Sequence, residues 1–551
     1  MIRSPGGVIR DTTLDYLVSV SEGTSKEEVE SELLIALRNE FALENAPKEK
    51  SDKWKMPQEL PSISLAYVLV KLHNVIRLQW MDDTNGGDDT YSLAVYQDSG
   101  ENEGIYVDDK AAIEKLIVEY SQNISSSKID EVIRKLNSVA PTRKRTMDKN
   151  LIAVNNGIFN YQTKQLMPFD PKYVFTTKSR VNYNPSATNI VIHNDEDGTD
   201  WDVESWMADL SDDPEIVELL WQILGAIIRP NVDWNKTAWF YSKTGNNGKG
   251  TLCELMRNLC GPGAYASISL ADFGKDFRLE ALPKVSAIIL DENDVGEFVD
   301  SAASLKSVST HDIIQINRKY KPSISFRFYG FMVQCLNDFP KFKDKTGSFY
   351  RRQLIVPFDK CFTGKERKYI KSDYLKRPEV LEYVMYKVLN TNYDSLCEPQ
   401  ACKELLGYYK EFNDPVRQFL SEMLPKCVWD LLPFAFLYEL YKEWFKRNCP
   451  SGKILSKTSF IDTVTEIAPS LEGWEYRDRN VSLYIRNKTS MVEPLIVRYN
   501  LIDWMNENYH GDNLDLICQH GRSTCKGGLE RVAVVSGAPE EDTSLEEETV
   551  E

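Results

Sequence analysis

The chain has 551 residues, of which 42% are hydrophobic and 27% charged, which suits three or four soluble units with real cores. No run of eighteen or so apolar residues is present and the first residues lack the apolar core of a secretion signal, so neither a membrane span nor secretion is expected and the reading is cytoplasmic. A net charge of −17 argues against a protein that coats nucleic acid over its whole surface, but not against a local basic contact, because phosphate recognition is local.

Residues 1–60 combine a helical pattern from Lys26 to Glu40 with a polar stretch from Glu44 to Lys55. Residues 61–79 form an apolar segment that reads as strand or helix. Asp82-Asp83-Thr84-Asn85-Gly86-Gly87-Asp88-Asp89 reads as a turn-rich loop. Alternation over Tyr91 to Tyr96 predicts a strand, and Asp109 to Tyr120 and Lys128 to Asn137 predict helices. Leu151 to Val154 and Ile158 to Tyr161 read as short strands joined at Asn155-Asn156-Gly157, where an Asn-Gly step suits a tight turn. A helix is predicted over Pro214–Ile228, ending near Pro230. From 237 to 340 strand and helix signals alternate, as in an α/β nucleotide-binding domain.

The sharpest motif begins there. The apolar strand Ala238-Trp239-Phe240-Tyr241 runs into Gly245-Asn246-Asn247-Gly248-Lys249-Gly250-Thr251, and a helical pattern from Leu252 to Leu259 follows. Strand, glycine loop and helix is the context of a phosphate loop. Glycines let backbone N–H groups turn inward around phosphates, the helix N-terminus adds partial positive charge, and Lys249 supplies a full one. Two departures stand out. The usual first glycine falls at Lys243, and Gly250 occupies the place of the Mg²⁺-binding hydroxyl, leaving that role to Thr251 or to water.

Val285 to Leu290 is an apolar run ending in Asp291-Glu292. Acids at the carboxyl end of a buried strand suit a Mg²⁺ ligand, Asp291, beside a residue that polarises water, Glu292. Phe331 to Leu336 is a second apolar strand ending in Asn337, either a residue that senses the γ-phosphate or orients the water, or a strand-ending turn residue. Between them, two β-prone pieces flank Arg318-Lys319-Tyr320-Lys321. This reads as a hairpin with a basic, aromatic tip, either a strand-gripping loop or a solvated turn. Arg351-Arg352 precede a further strand. They would hold a surface acid or, in a ring ATPase, reach a neighbour's γ-phosphate.

In this order the motifs resemble the superfamily 3 helicases, and most nearly the phage and plasmid primase–helicase family that includes satellite-phage and poxvirus replication ATPases. The resemblance is carried by Gly245 to Thr251, Asp291-Glu292, the stretch from Lys306 to Lys321, Asn337 and Arg351-Arg352. Upstream, Leu151 to Phe159, Leu166-Met167-Pro168 and Tyr183-Asn184-Pro185 are similar to that family's helicase-associated region. The match spans roughly 110–400, and the family tolerates the Lys-Gly-Thr loop ending. The resemblance implies an α/β, AAA+-like superfamily 3 core at 211–400. A mixed α+β N-terminal region would precede it, with a collar at 111–210 and residues 1–110 of open role. It further implies ATP and Mg²⁺, a homohexameric ring, single-stranded DNA in a channel lined by hairpins carrying Lys306, Arg318, Lys319, Tyr320 and Lys321, and 3′-to-5′ movement at a replication fork or origin. No catalytic acid cluster is found in residues 1–110, so priming would fall to a separate primase. An initiator or loader that remodels origin DNA without processive unwinding, or a primase–helicase, is the alternative. A non-catalytic protein with a decayed site is opposed by Lys249, Asp291, Glu292 and Asn337.

Beyond about 400 the pattern is helical with a late strand pair. Phe434 to Arg447 places Leu437, Leu440, Tyr441, Trp444 and Phe445 on one helix face. Ser456 is a plausible cap for the next helix. Trp474 to Arg486 reads as a two-stranded hairpin. Helix, helix, hairpin suits a winged-helix-like domain at 401–500, with Lys457, Arg477 and Arg479 facing DNA, or else a small cap that only packs on the core. Residues 501–551 read as an extension ending in an acidic, disordered tail. The ten cysteines are scattered. Cys518, His520 and Cys525, with His510 nearest as a fourth ligand, read as a loop with free thiols in preference to a zinc site.

Overall fold

The computed structural model describes residues 3–21, 23–80, 91–293, 298–299, 302–319, 321–342, 344–448, 454–484, 492–506, 508–518 and 524–532. The chain divides into two compact units, residues 1–406 and 407–551.

The first unit opens with helices Pro5–Ser19, Lys26–Asn45 and Ser62–Leu72. Ser25 and Glu28 form a reciprocal capping box that starts the second of these. The apolar segment 61–79 resolves into both alternatives: a helix to Leu72, then the strand Ile76–Gln79. That strand lies in a four-stranded sheet of order Tyr106–Val107, Tyr91–Tyr96, Ile76–Gln79, Thr142–Lys144. Helices Lys110–Tyr120 and Ser126–Val139 share its core, in which Leu33 and Leu37 pack with Ile113, Ile117 and Leu136. The boundary expected at residue 110 therefore falls inside one packed body, because the helix after it supplies buried residues to the same core. The acidic loop at 82–89 lies outside the described residues.

The remainder of the first unit is organised by a five-stranded parallel sheet. In chain order its strands are Thr237–Tyr241, Tyr265–Ala266, Ala287–Leu290, Phe331–Leu336 and Gln353–Pro357. In space the order is second, third, fourth, first, fifth. The first and fourth strands are buried along their whole length, as parallel strands covered on both faces require. Helix Pro214–Ile228, with Asp213 as its cap and Pro214 at its first turn, supplies nine buried residues, Ile216 to Ile228, to the same core. That core runs from Ile152 to Cys402, so the short strands Leu151–Val154 and Gly157–Asn160 belong to it as well. The strand order sets the first, third and fourth strands side by side. Their carboxyl ends carry the phosphate loop, the two acids and the amide.

The second unit holds helices Pro415–Met423, Phe434–Asn448 and Lys457–Ile467 and a three-stranded antiparallel sheet. The apolar face predicted for Phe434–Asn448 is buried as expected. The expected hairpin within 474–486 is corrected. Trp474–Tyr484 is one strand with a register irregularity between Arg477 and Ser482, and its partner is Thr524–Arg531. The polar run Arg477-Asp478-Arg479-Asn480 resembles a turn in sequence but is absorbed as a bulge. The pairing strand comes from the stretch read as an extension, and it lies in the middle of the sheet between Leu431–Pro433 and Trp474–Tyr484. Among the described residues, no helix is long and apolar enough to cross a membrane.

Candidate active site

Between the strand Thr237–Tyr241 and the helix Lys249–Cys260, residues 242–248 form the glycine loop. Asn246 and Gly248 adopt left-handed backbone, with φ of 54° and 87°. A Cβ on Gly248 would lie 2.6 Å from Leu210 Cδ2, so both backbone and packing require glycine there. Asn247 is buried, and its side-chain amide donates to the Thr244 carbonyl at 2.5 Å, stiffening the loop from within. From outside, Phe362 N–H donates to Asn246 O at 2.7 Å and the Asn246 amide donates to Glu366 at 3.0 Å. The cap residue Gly248 has no side chain to bond the helix, and Lys249 N–H donates to Asn247 Oδ1 at 3.4 Å, so the N–H groups of the residues that follow are the ones placed to meet an anion.

Lys249 is 5% exposed. Its ammonium donates to Leu336 O at 3.1 Å and to Asn337 Oδ1 at 3.0 Å. Burial holds its pKa below the ordinary lysine range. The predicted loop lysine and the predicted sensor amide are thus brought into contact across adjacent strands. Beneath them the buried thiols of Cys253 and Cys335 lie 3.4 Å apart.

Asp291 follows the third strand and is gripped by Arg257, whose guanidinium reaches Oδ1 at 2.9 Å and Oδ2 at 3.3 Å. Burial opposes ionisation of Asp291, but the hydrogen bond and charge of Arg257 outweigh it and hold the carboxyl below its usual range. Glu292, next in the chain, is exposed. Among the described residues, no group of three His, Cys, Asp or Glu side chains is placed to hold a metal. One carboxylate, the Thr251 hydroxyl and substrate phosphates nonetheless suit Mg²⁺, which keeps several waters and takes few protein ligands.

Thr251 lines a cavity of about 640 Å³ together with Asn246, Gly248, Trp206, Leu210 and Phe362. Lys360, Lys365, Arg367, Lys368 and Lys371 line the same space. A Cβ on Gly250 would sit 3.7 Å from Lys371 Nζ, which places this cation over the start of the loop helix. These five cations were missed by sequence reasoning. Their signal was compositional, five basic residues between 360 and 371 just after the last sheet strand.

Arg351 and Arg352 precede the strand Gln353–Pro357, which pairs in parallel with the strand leading to the phosphate loop, Gln353 opposite Thr237. They therefore stand at the opposite end of the sheet from their own loop, about 16 Å away along a five-residue strand. Arg352 folds back onto Ser348, bonding its hydroxyl at 2.7 Å, whereas Arg351 is exposed.

The hairpin is present. Ile313–Arg318 pairs antiparallel with Lys321–Arg327, and the pairing of Arg318 with Lys321 leaves Lys319 at the tip. Tyr320 and the Lys321 side chain lie outside the described residues. Lys306 is on helix Ala302–Ser309 and bonds Asp344 at 2.5 Å, so its charge is engaged within the chain. In the second unit, Lys457 is exposed at the start of its helix, where Ser456 caps as expected. Arg477 pairs with Glu530 at 2.5 Å and Glu475 at 3.1 Å, and the Arg479 side chain lies outside the described residues. Cys518 is buried against Glu493 O, while His520 and the Cys525 side chain are outside the described residues.

Three family models match the chain. Residues 55–212 match a family described as D5 N terminal like, residues 240–352 a family of unknown function (DUF5906), and residues 411–501 a family described as Poxvirus D5 protein-like. A protein of Frog virus 3 (isolate Goorha) named "Putative helicase 022R" is 25% identical over 249 residues, covering 40% of this chain. The matched region spans 25% of that relative's own length. Two apo structures of the C terminal region of NrS-1 each align with a TM-score of 0.41 at 14% identity. They cover 67% and 72% of this chain and 81% and 94% of their own. With D5-type models on either side of the glycine-loop domain and a viral relative of helicase name, the chain is similar over these regions to the phage and poxvirus type of primase–helicase family.

Proposed function

We propose that this protein is an ATP-driven DNA helicase of the superfamily 3 type, with an AAA+-like core at 211–400 and a winged-helix-like second unit, acting in replication of a phage or mobile element. One observation carries this reading: Lys249, Asn337 and the Asp291-Glu292 pair stand at the carboxyl ends of three neighbouring strands. In such a sheet the crevice outside those ends is where ligands bind. ATP would lay its phosphates along Gly245 to Thr251, with Lys249 and Lys371 meeting the charge that spreads over the γ-phosphoryl oxygens. The cavity beside Trp206 and Phe362 would take the base. Thr251 and Asp291 would hold Mg²⁺, which would supply positive charge to offset that of the phosphates. Glu292 would polarise the attacking water and Asn337 would orient it.

The hairpin tip, with Arg318 and Lys319, would hold single-stranded DNA, and its movement with the nucleotide state would drive translocation, 3′ to 5′ as the family resemblance implies. Arg351, at the far end of the sheet, suits a role on a neighbouring subunit's ATP, and so a ring, taken as a homohexamer. The Phe434–Asn448, Lys457–Ile467 and strand order of the second unit supports a winged helix with Lys457 toward duplex DNA. Strand displacement tests the reading. The chain is expected to separate a 3′-tailed duplex only with ATP and Mg²⁺, and Lys249→Ala is expected to lower hydrolysis by about a hundredfold or more. Near-normal turnover of that variant would remove the site assignment. Origin binding and hydrolysis without strand displacement would leave a remodelling ATPase.

A further inference from the structure

A second cavity, of about 320 Å³, lies away from the phosphate loop, where the N-terminal sheet meets the root of the hairpin. Its size falls at the lower end of small-ligand sites, about 300–1,000 Å³. Lys144 and Arg145, at the end of the sheet strand Thr142–Lys144, face it from one side, and Arg327, the last residue of the hairpin's second strand, from the other. Arg145 lies between two rings, its guanidinium 5.8 Å from Trp80 and 5.0 Å from Phe326, so its position is fixed by both bodies at once. The floor is aromatic and rigid. Tyr329 stacks on His311 with centroids 5.4 Å apart and planes 17° from parallel. The imidazole of His311 lies between the carbonyls of Phe328, 2.6 Å from Nδ1, and Val232, 3.2 Å from Nε2. Ile313 adds an apolar edge that is 51% exposed.

A fixed aromatic ring, an exposed aliphatic edge and three cations drawn from two elements are what a single nucleic-acid strand needs. Bases stack without sequence preference, and phosphates meet the charges. We propose that this cavity is a second contact for single-stranded nucleic acid, distinct from the hairpin tip, holding a base against Tyr329 and the adjoining phosphates on Lys144, Arg145 and Arg327. The inference rests on the reading that the hairpin meets a DNA strand. It adds that the strand continues from the tip onto the N-terminal sheet, which makes residues 76–80 and 142–145 part of the track. An acidic protein segment would satisfy the cations but leave the stacking surface without a purpose.

Binding of fluorescein-labelled oligo-dT by the full chain, followed by anisotropy across a salt series, tests this. Lys144→Ala/Arg327→Ala removes two exposed charges and is expected to flatten the log K against log salt slope by about 0.7 per lost single-strand phosphate contact. Tyr329→Ala is expected to weaken binding about tenfold. As a check independent of folding of the variants, oligo-dT carrying 4-thiothymidine is expected to crosslink the wild-type chain to the peptide containing Tyr329 as well as to the hairpin tip. Crosslinks confined to the tip, with an unchanged salt slope in the double variant, would overturn the proposal while leaving the helicase reading intact. No oligo-dT binding by the wild-type chain would instead defeat the helicase reading itself. Polyglutamate binding that the same variants abolish, with oligo-dT binding untouched, would assign the cavity to an acidic protein partner and also overturn the proposal.

Discussion

Arg257 does work at a distance from its own place in the chain. It lies on the helix that begins at Lys249, and it fastens that helix to Asp291 at the end of the third strand through two contacts. The lysine proposed to meet the phosphates and the carboxylate proposed to hold Mg²⁺ are thereby fixed by one helix. The same pair sets a pH dependence. Arg257 keeps the Asp291 carboxyl below its usual range, so the ionised form persists as pH falls and is lost only through that depressed value. Stability from the pair has the same sign: it is complete above the unfolded carboxylate pKa and fades as pH falls through the folded one. Arg257→Ala is expected to move the acid limb of the kcat/KM profile for ATP hydrolysis to higher pH, with Arg257→Lys in between. An acid limb that stays in place in both variants would show that Asp291 ionisation does not govern it. At the same scale the two neighbouring arginines part company. Arg352 is tied to Ser348 on its own short helix and Arg351 is exposed, a division that two identical letters in sequence conceal.

At the scale of elements, the second unit's sheet depends on the strand Thr524–Arg531, which pairs on both sides. Leu529 is fully buried in a core made wholly of residues from Val416 to Leu529. Glu493 is fully buried as well, and its carboxylate accepts from Val428 N–H at 2.7 Å and Trp429 N–H at 3.0 Å, pinning the approach to the first strand. A fragment of residues 407–532 is expected to melt cooperatively by circular dichroism, and 407–500 is expected not to, since it leaves two strands without the one between them. Equal melting of both fragments would show that the middle strand is dispensable.

That contrast also shows where sequence was sufficient. Signals written within a few residues were legible: the Pro214–Ile228 helix with its cap, the Ser456 cap, the alternating hairpin strands and the glycine loop between strand and helix. Signals written between distant residues were not. The partner of Trp474–Tyr484 lies some forty residues on, past a polar run that resembles a local turn. The Arg257–Asp291 pair joins a helix to a strand, and the cations of 360–371 acquire meaning only from the cavity they line. The core begun at Leu17 was hidden for the same reason, because the helices after residue 110 bury their apolar faces in it from a distance in sequence.

For the whole molecule, the position of Arg351 makes a prediction about cooperation between copies. Lys249→Ala chains and Arg351→Ala chains are each expected to be inactive in ATP hydrolysis. Mixed, they are expected to recover part of it, because some contacts would pair an intact loop with an intact arginine. No recovery in mixtures shown to co-assemble would count against action in trans. The underlying feature is the parallel sheet with the phosphate loop at one end and the arginine at the other. If those ends belong to one shared site, the contact between copies joins unlike surfaces, and each copy added presents a fresh loop and a fresh arginine. Such a heterologous contact cannot terminate in a two-fold dimer: it closes on itself as a ring or continues as a helical filament, and the angle between neighbours decides which.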